Sequence, residues 1–358
     1  MVKLTFVGDI FPANLSYNRN CGVASLDFDE VHRQGYVSQI RNIVSEDSLF
    51  IGNLESPILS EAEFSKEMQF AGHPNFVKML KEAGISLLSI ANNHILEHQI
   101  EGLKSTERIL QEESIDYIGT IDNGGFSIVK IIEKAGLRLA FTAYNAIDSH
   151  KNEKGVISVY DYEKVQKDIK KLRQQGSDFI FVILHWGDEY IHRPSAAQIE
   201  QAHNLVDAGV NFVICSHPHV VQPIEEYHGG LICYSLGNFV FDMTIPKSSK
   251  TGMVVDIALS KDGFTHQERF VKLQQNYFPA LLEKDHKVRK MLEIQKLMMV
   301  DHKSADYSIQ YCKEKKQKRL KKRLFEKYLL LKNWSKYTPA VRRSFIQYYI
   351  GLLSHGKN

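Results

Sequence analysis

Six short apolar runs in this 358-residue chain each lead into a residue of metal-ligand type, and that repetition constrains the fold more than any other feature. Residues 4–8 precede Asp9, residues 49–52 precede Asn53-Leu54-Glu55, and residues 85–91 precede Asn92-Asn93-His94. Residues 179–184 then precede His185-Trp186-Gly187, residues 210–216 precede His217-Pro218-His219, and residues 231–236 precede Gly237-Asn238. Runs of roughly four to eight residues rich in Val, Ile, Leu and Phe read as buried strands. In open α/β sheets ligands gather outside the carboxyl ends of the strands. A polar cluster at the same end of each strand therefore predicts one shared site, of a metalloenzyme.

Helical patterns fill the intervals. Phe76, Val77, Met79, Leu80 and Ala83 form a stripe that stops at Gly84, and residues 196–208 stop at Gly209, each just before a strand. A helix ended by glycine and followed by a strand marks βαβ construction. Residues 102–113 and 162–175 read as two more helices, residues 125–146 as a pair of strands, and residues 253–259 and 269–273 as strands closing a sheet. The expected fold class is α/β, with one large domain over residues 1–276 and a basic helical extension over 277–358. Three helices are expected in the extension, at 283–299, 307–332 and 339–353.

Charge is divided unevenly. From Lys313 onward the chain carries 14 Lys and Arg against two acids, leaving 31 basic and 40 acidic residues upstream. Residues 313–327 hold nine basic side chains in fifteen, with Leu320, Leu324, Tyr328 and Leu331 at helical spacing. Two readings of this amphipathic helix stand side by side: a cap docked by the apolar stripe with its lysines in water, or peripheral attachment to anionic lipid. Nucleic acid is not expected, because the body is acidic and no recognition motif is present. The first strand begins at the start of the chain, and Cys21, Cys215, Cys233 and Cys312 are widely separated. Free thiols and a cytoplasmic location, at most peripheral to the membrane, are the expectation.

Each motif has a bland reading as well as a chemical one. Asp9 after Gly8 could be a turn residue, its glycine otherwise letting the backbone approach an ion; Glu55 could be a loop acid or a carboxylate bridging two ions. Asn92-Asn93-His94 could be an Asx turn, yet two amides and an imidazole after an apolar strand are costly unless bonded or coordinating. His217-Pro218-His219 weighs most, since two imidazoles flanking a fixed backbone can reach two adjacent ions.

The phrases Phe6-Val7-Gly8-Asp9, Asn53-Leu54-Glu55, Ala91-Asn92-Asn93-His94, His185-Trp186-Gly187, Ser216-His217-Pro218-His219-Val220, Gln222-Pro223-Ile224-Glu225 and Tyr234-Ser235-Leu236-Gly237-Asn238-Phe239-Val240-Phe241-Asp242 together resemble the CapA family of poly-γ-glutamate and capsule biosynthesis proteins, within the calcineurin-like metallophosphoesterases. The resemblance covers about residues 3–260 and omits the basic extension. It implies a four-layer αββα sandwich of metallophosphoesterase type and a metal-dependent phosphoester hydrolase working through two ions and a bridging hydroxide. It assigns Asp9, Glu55 and His219 to one ion, and Glu55, Asn93, His185 and His217 to the other. His94 becomes the catalytic acid facing substrate, and Asn238 a supporting or substrate-side group.

Two divalent ions held by two carboxylates and neutral ligands leave a positive site, which suits an anionic phosphoester or polyanion. Mn²⁺ is the expected ion, with Zn²⁺, Fe²⁺ and Mg²⁺ as alternatives. Superfamily phosphatases usually place a histidine two residues after the first aspartate; here that residue is Phe11, which favours a rival reading as a non-catalytic component of a capsule assembly machine. Arg193 is the preferred substrate-binding cation, with Lys66, His73, Tyr144 and Asn145 as lesser candidates for the rim.

Overall fold

The computed structural model describes residues 1–122, 125–147 and 155–355. One sheet contains β1 (Val2–Ile10), β2 (Leu49–Leu54), β3 (Ile85–Ser89), β4 (Asp116–Ile118), β11 (Asn238–Val240), β12 (Thr251–Ser260), β13 (Gly263–Leu273) and β14 (Pro279–Leu281). The other contains β5 (Lys130–Lys134), β6 (Leu137–Asn145), β7 (Phe179–His185), β8 (Phe212–Ser216), β9 (Ile224–Tyr227) and β10 (Gly230–Cys233). The first runs β14-β13-β12-β1-β2-β3-β4, with β11 beside β1; the second runs β5-β6-β7-β8-β10-β9. Parallel pairing of β1 with β2 and β2 with β3, and of β6 with β7 and β7 with β8, brings their carboxyl ends to one edge of each sheet.

The sheets face each other across an aromatic core. Phe6 stacks on Phe181 with ring centroids 5.6 Å apart, and Phe181 stacks in turn on Phe141 and Phe212 at 4.6 and 4.5 Å. Helices α1 (Glu30–Arg41), α2 (Pro74–Glu82) and α3 (Gln99–Glu112) join the core of the first sheet, while α4 (Tyr162–Gln174) and α5 (Ala196–Asp207) cover the outer face of the second. This is the expected αββα sandwich. The stripe of α2 is fully buried, and each such side chain contributes about 1.5–3 kcal/mol. Both helix-ending glycines, Gly84 and Gly209, take the positive φ that a left-handed C-terminus requires.

Some elements depart from the sequence reading. Helix α1 was not anticipated, although Asp29 caps it by accepting from the His32 amide and Tyr36, Val37 and Ile40 form its buried stripe. Strand β5 starts only at Lys130, leaving Phe126 exposed. The first sheet runs on to Leu281, slightly beyond residue 276, before α6 (His286–Met299), α7 (Ala305–Lys332) and α8 (Pro339–His355). Cys215 and Cys233 are buried free thiols, as expected. Among the described residues, no helix is long and apolar enough to cross a membrane.

The extension docks through the face opposite to the one the apolar pattern indicates. Leu320, Leu324, Tyr328 and Leu331 are 54–71% exposed, whereas Tyr307, Tyr311 and Leu329 are buried. The expected cap docked by its leucine stripe is therefore corrected. Tyrosine and paired charges on the other face make the contact: Tyr307 donates to the Pro194 carbonyl at 2.6 Å, and Lys315 and Lys322 meet Asp188 and Glu189.

Candidate metal centre

Strand register assembles the site. Asp9 on β1 lies opposite Asn53 on β2 and Asn238 on β11, and His185 on β7 lies opposite Asn145 and Ser216. Between β10 and β11 the chain crosses from one sheet to the other, passing so close to β1 that a Cβ on Gly8 would sit 1.8 Å from the Gly237 carbonyl oxygen. Glycine is required there by a protein backbone, not by an ion. The Asp9 amide donates to that same carbonyl at 2.9 Å, and the Glu55 amide donates to Ile10 at 2.9 Å.

Glu55 is the hub. Its side chain is fully buried, and neither carboxylate oxygen has a hydrogen-bond partner. It belongs to two converging groups of ligand-type atoms, Glu55–His185–His217 and Asp9–Glu55–His219. In the first, His185 Nε2 lies 2.8 Å from Asn93 Oδ1, 3.2 Å from His217 Nδ1 and 3.5 Å from Glu55 Oε1. Atoms bound to one ion at about 2.1 Å lie about 3.0–3.4 Å from each other, and these three separations straddle that range. In the second, His219 Nδ1 is 3.4 Å from Asp9 Oδ2 and its Nε2 is 3.8 Å from Glu55 Oε1.

The surrounding hydrogen bonds orient these donors. Asn238 Nδ2 donates to the Ser249 carbonyl at 3.0 Å, which turns Oδ1 toward His219 Nδ1, also at 3.0 Å. That oxygen can only accept, so Nδ1 carries a proton, and in the neutral ring this leaves the Nε2 lone pair toward Glu55. Asn53 Nδ2 donates to Asp9 Oδ1 at 2.8 Å. Asn92 is the turn residue of its motif, its Oδ1 accepting from the His94 and Ile95 amides while Asn93 reaches the cluster. The Asx-turn alternative therefore holds for Asn92, while Asn93 lies against His185. His217 and His219 have φ of 99° and 56°, a strained left-handed pair around Pro218 of the kind that clusters at functional sites.

Protonation matches the donor set. Burial holds His217 down to about 4 and His185 well below the ordinary imidazole range, with neighbouring imidazoles adding to the effect on His185. Both are neutral near pH 7, the form that binds metal. Burial pushes the Glu55 carboxyl well up, and the charges of Asp9 and Glu189 push the same way. A cation shared by the two groups is the partner that would keep Glu55 ionised.

A family model described as bacterial capsule synthesis protein PGA_cap matches residues 3–243. The chain belongs to that family. It is 33% identical over 219 residues to the capsule biosynthesis protein CapA of Bacillus anthracis, a match covering 57% of this chain and 53% of the relative. It is 30% identical over 226 residues to the PGA biosynthesis protein CapA of Bacillus subtilis, covering 59% and 58%. The chain thus spans little more than half the length of these curated relatives. The NAD nucleotidase of Haemophilus influenzae superposes with a TM-score of 0.43 at 17% identity, over 88% of this chain and 60% of that one.

The capsule-family chain positions the remaining candidates as follows. His94 stacks on Phe70 at 4.7 Å and sets Nδ1 2.9 Å from Glu97 Oε1, an orienting partner that sequence reasoning missed. Phe11 is fully buried, stacked on Phe241 at 4.4 Å and edge-on to Phe70 at 5.8 Å. Arg193 is also buried, its Nη1 2.7 Å from Glu314 and its guanidinium 5.4 and 5.9 Å from the Tyr307 and Tyr311 rings. It faces the extension. Lys66 is exposed and pairs with Asp27, His73 caps α2 by accepting from the Asn75 amide, and Tyr144 donates to Asp168 beneath the outer helices. Asn145 bonds to the backbone of Ile147, whose side of the loop borders the cavity at the cluster.

Proposed function

We propose that this protein is a two-metal phosphoester hydrolase serving the assembly of a capsule, polysaccharide or poly-γ-glutamate. The observation that carries the reading is Glu55: a fully buried carboxylate with neither oxygen hydrogen-bonded, shared by two groups of imidazole and carboxylate donors. Asp9, Glu55 and His219 would hold one divalent ion and Glu55, Asn93, His185 and His217 the other. Ions there would supply Lewis acidity and a water of lowered pKa. The mixed oxygen and nitrogen donors suit Mn²⁺, and also Fe²⁺ or Zn²⁺.

The chain's own groups supply the proton and the orientation. With the Glu97 carboxylate at Nδ1, His94 carries its proton there when neutral and, once protonated, presents an Nε2–H to a leaving oxygen. Asn238 and Asn53 hold His219 and Asp9 in place. The relatives' names connect them to capsule and PGA biosynthesis, and that setting supports a phosphorylated or polyanionic substrate.

The test is a screen of phosphomonoesters and phosphodiesters with Mn²⁺-loaded protein, alongside His94→Ala. Turnover that falls by about 10²–10³-fold in His94→Ala at unchanged metal content supports the reading. Full metal occupancy with no turnover of any ester supports the rival, a non-catalytic assembly component; the aromatic block around Phe11 is the observation that favours it.

A further inference from the structure

A cavity of about 540 Å³ opens beside His217, and the C-terminal extension forms one of its walls. Ala146, Ile147, Gly187, Asp188, Glu189 and Tyr190 come from the body, while Lys315, Arg319 and Lys322 come from α7. These three cations lie outside residues 3–243, the part of the chain that the family model matches.

Their charges are not equivalent. Lys315 is committed to Asp188 at 2.7 Å, and Lys322 to Glu189 at 2.5 Å, with Glu326 3.9 Å away on its own helix. Burial alone would raise the Glu189 carboxyl, but the Lys322 ammonium beside it opposes burial and the group is held down to about 2, so this acid is a charged partner that fixes Lys322. Arg319 is the surplus. Its side chain is 71% exposed and approaches Asp188 only at 4.0 Å, the outer limit of an ion pair. Its planar fork is therefore open to a ligand, and guanidinium pairs with carboxylate or phosphate through two parallel hydrogen bonds. A cation left over at the mouth of a cavity that His217 also lines has one chemical use that the pairing of Lys315 and Lys322 does not explain.

We propose that α7 completes the site with a second anion-binding subsite, in which Arg319 receives a carboxylate or phosphate of the bound molecule while another anionic group of that molecule sits at the metal-type cluster. The subsite selects molecules with two separated anionic groups over those with one. It rests on the hydrolase reading only where the bound molecule is called a substrate; the subsite itself is a matter of binding.

Calorimetry on the full-length, Mn²⁺-loaded protein, with free metal removed, tests it with a matched pair of probes, fructose 6-phosphate and fructose 1,6-bisphosphate. The bisphosphate should bind about tenfold tighter, the worth of one charge-assisted bidentate contact. Arg319→Glu should abolish that preference, and Arg319→Gln should reduce it, without weakening the monophosphate by more than about twofold. Lys316→Glu makes the same charge change on the exposed side of α7 and should keep the preference. Equal affinity of the two probes for the wild type, no binding of either, an unaltered Arg319→Glu, or equal loss in Lys316→Glu would each overturn the subsite. Bisphosphate preference with no ester turned over leaves the subsite standing and removes the hydrolase reading; turnover of p-nitrophenyl phosphate without the preference does the reverse.

Discussion

Glu314 on α7 lies 2.7 Å from the guanidinium of Arg193 in the body, and this partly buried pair fastens the extension to the sandwich. The Arg193 side chain is 6% exposed and that of Glu314 26%. Removing the acid takes the paired counter-charge from a guanidinium that sits in the interior beside two tyrosine rings. Glu314→Ala should therefore cost about 2–3 kcal/mol, toward the low end for a broken buried pair because water reaches the acid's side. Thermal unfolding gives the cost, and hydrogen exchange over residues 305–332 should show α7 loosening first. An unchanged melting temperature would mean that the pair is ornamental.

Phe11, where the metallophosphoesterase resemblance leads one to expect histidine, is packed in a block with Phe70 and Phe241 beside His94 and His219. Phe11→His should cost about 2 kcal/mol, from lost stacking and a polar ring in an apolar site. It should also tighten the weaker of two Mn²⁺ binding events. Lost stability with no gain in metal affinity would show that position 11 does not reach the ions.

Asp242 gives a pH signature away from the cluster. Burial raises its carboxyl to about 7, against an ordinary 3.8, although the Leu15 amide donates to Oδ2 at 3.0 Å. Between about pH 4 and 7 the folded chain holds a proton that the unfolded chain has lost, so this group's stabilising contribution declines as pH rises through that window. Asp242→Asn should match the wild type near pH 4 and exceed it at pH 8, by up to about 4 kcal/mol. A difference that does not change with pH would contradict this environment for Asp242.

The exposed stripe of Leu320, Leu324, Tyr328 and Leu331 is bordered by lysines and keeps the membrane-surface reading open as a prediction. The full chain should sediment with anionic vesicles, and less so at high salt, where screening shortens the reach of exposed charge. Leu320→Glu combined with Leu324→Glu should abolish the binding without unfolding the protein, since neither side chain is buried. Sedimentation equal to that with neutral vesicles would leave the stripe without a lipid role.

The convergence of these ligand-type residues was legible because each sits at or just past the end of an apolar strand, and parallel pairing brings strand ends together whatever the loops between them do. Asp9, Glu55, Asn93, His185, His217 and His219 all lie in the cluster for that reason. Partners set by distant chain crossings were not legible. The need for glycine at position 8 comes from Gly237, more than two hundred residues away, and the orientation of His219 depends on Ser249 fixing Asn238. The docking face of α7 misled the apolar pattern, because tyrosines and charge pairs make that contact while the leucines face water. Arg193 was read as a substrate cation for the same reason: its partner Glu314 lies on a helix whose packing face could not be read from hydrophobicity.

The most direct test of the Glu55-centred site is calorimetric titration of metal-free protein with Mn²⁺, compared with Glu55→Gln, His217→Ala and Asp9→Asn. The wild type should bind two ions per chain, one tightly and one loosely. Glu55→Gln should weaken both events, His217→Ala chiefly one and Asp9→Asn chiefly the other. No Mn²⁺ binding by the folded wild type, or a Glu55→Gln variant that binds as the wild type does, would contradict the account.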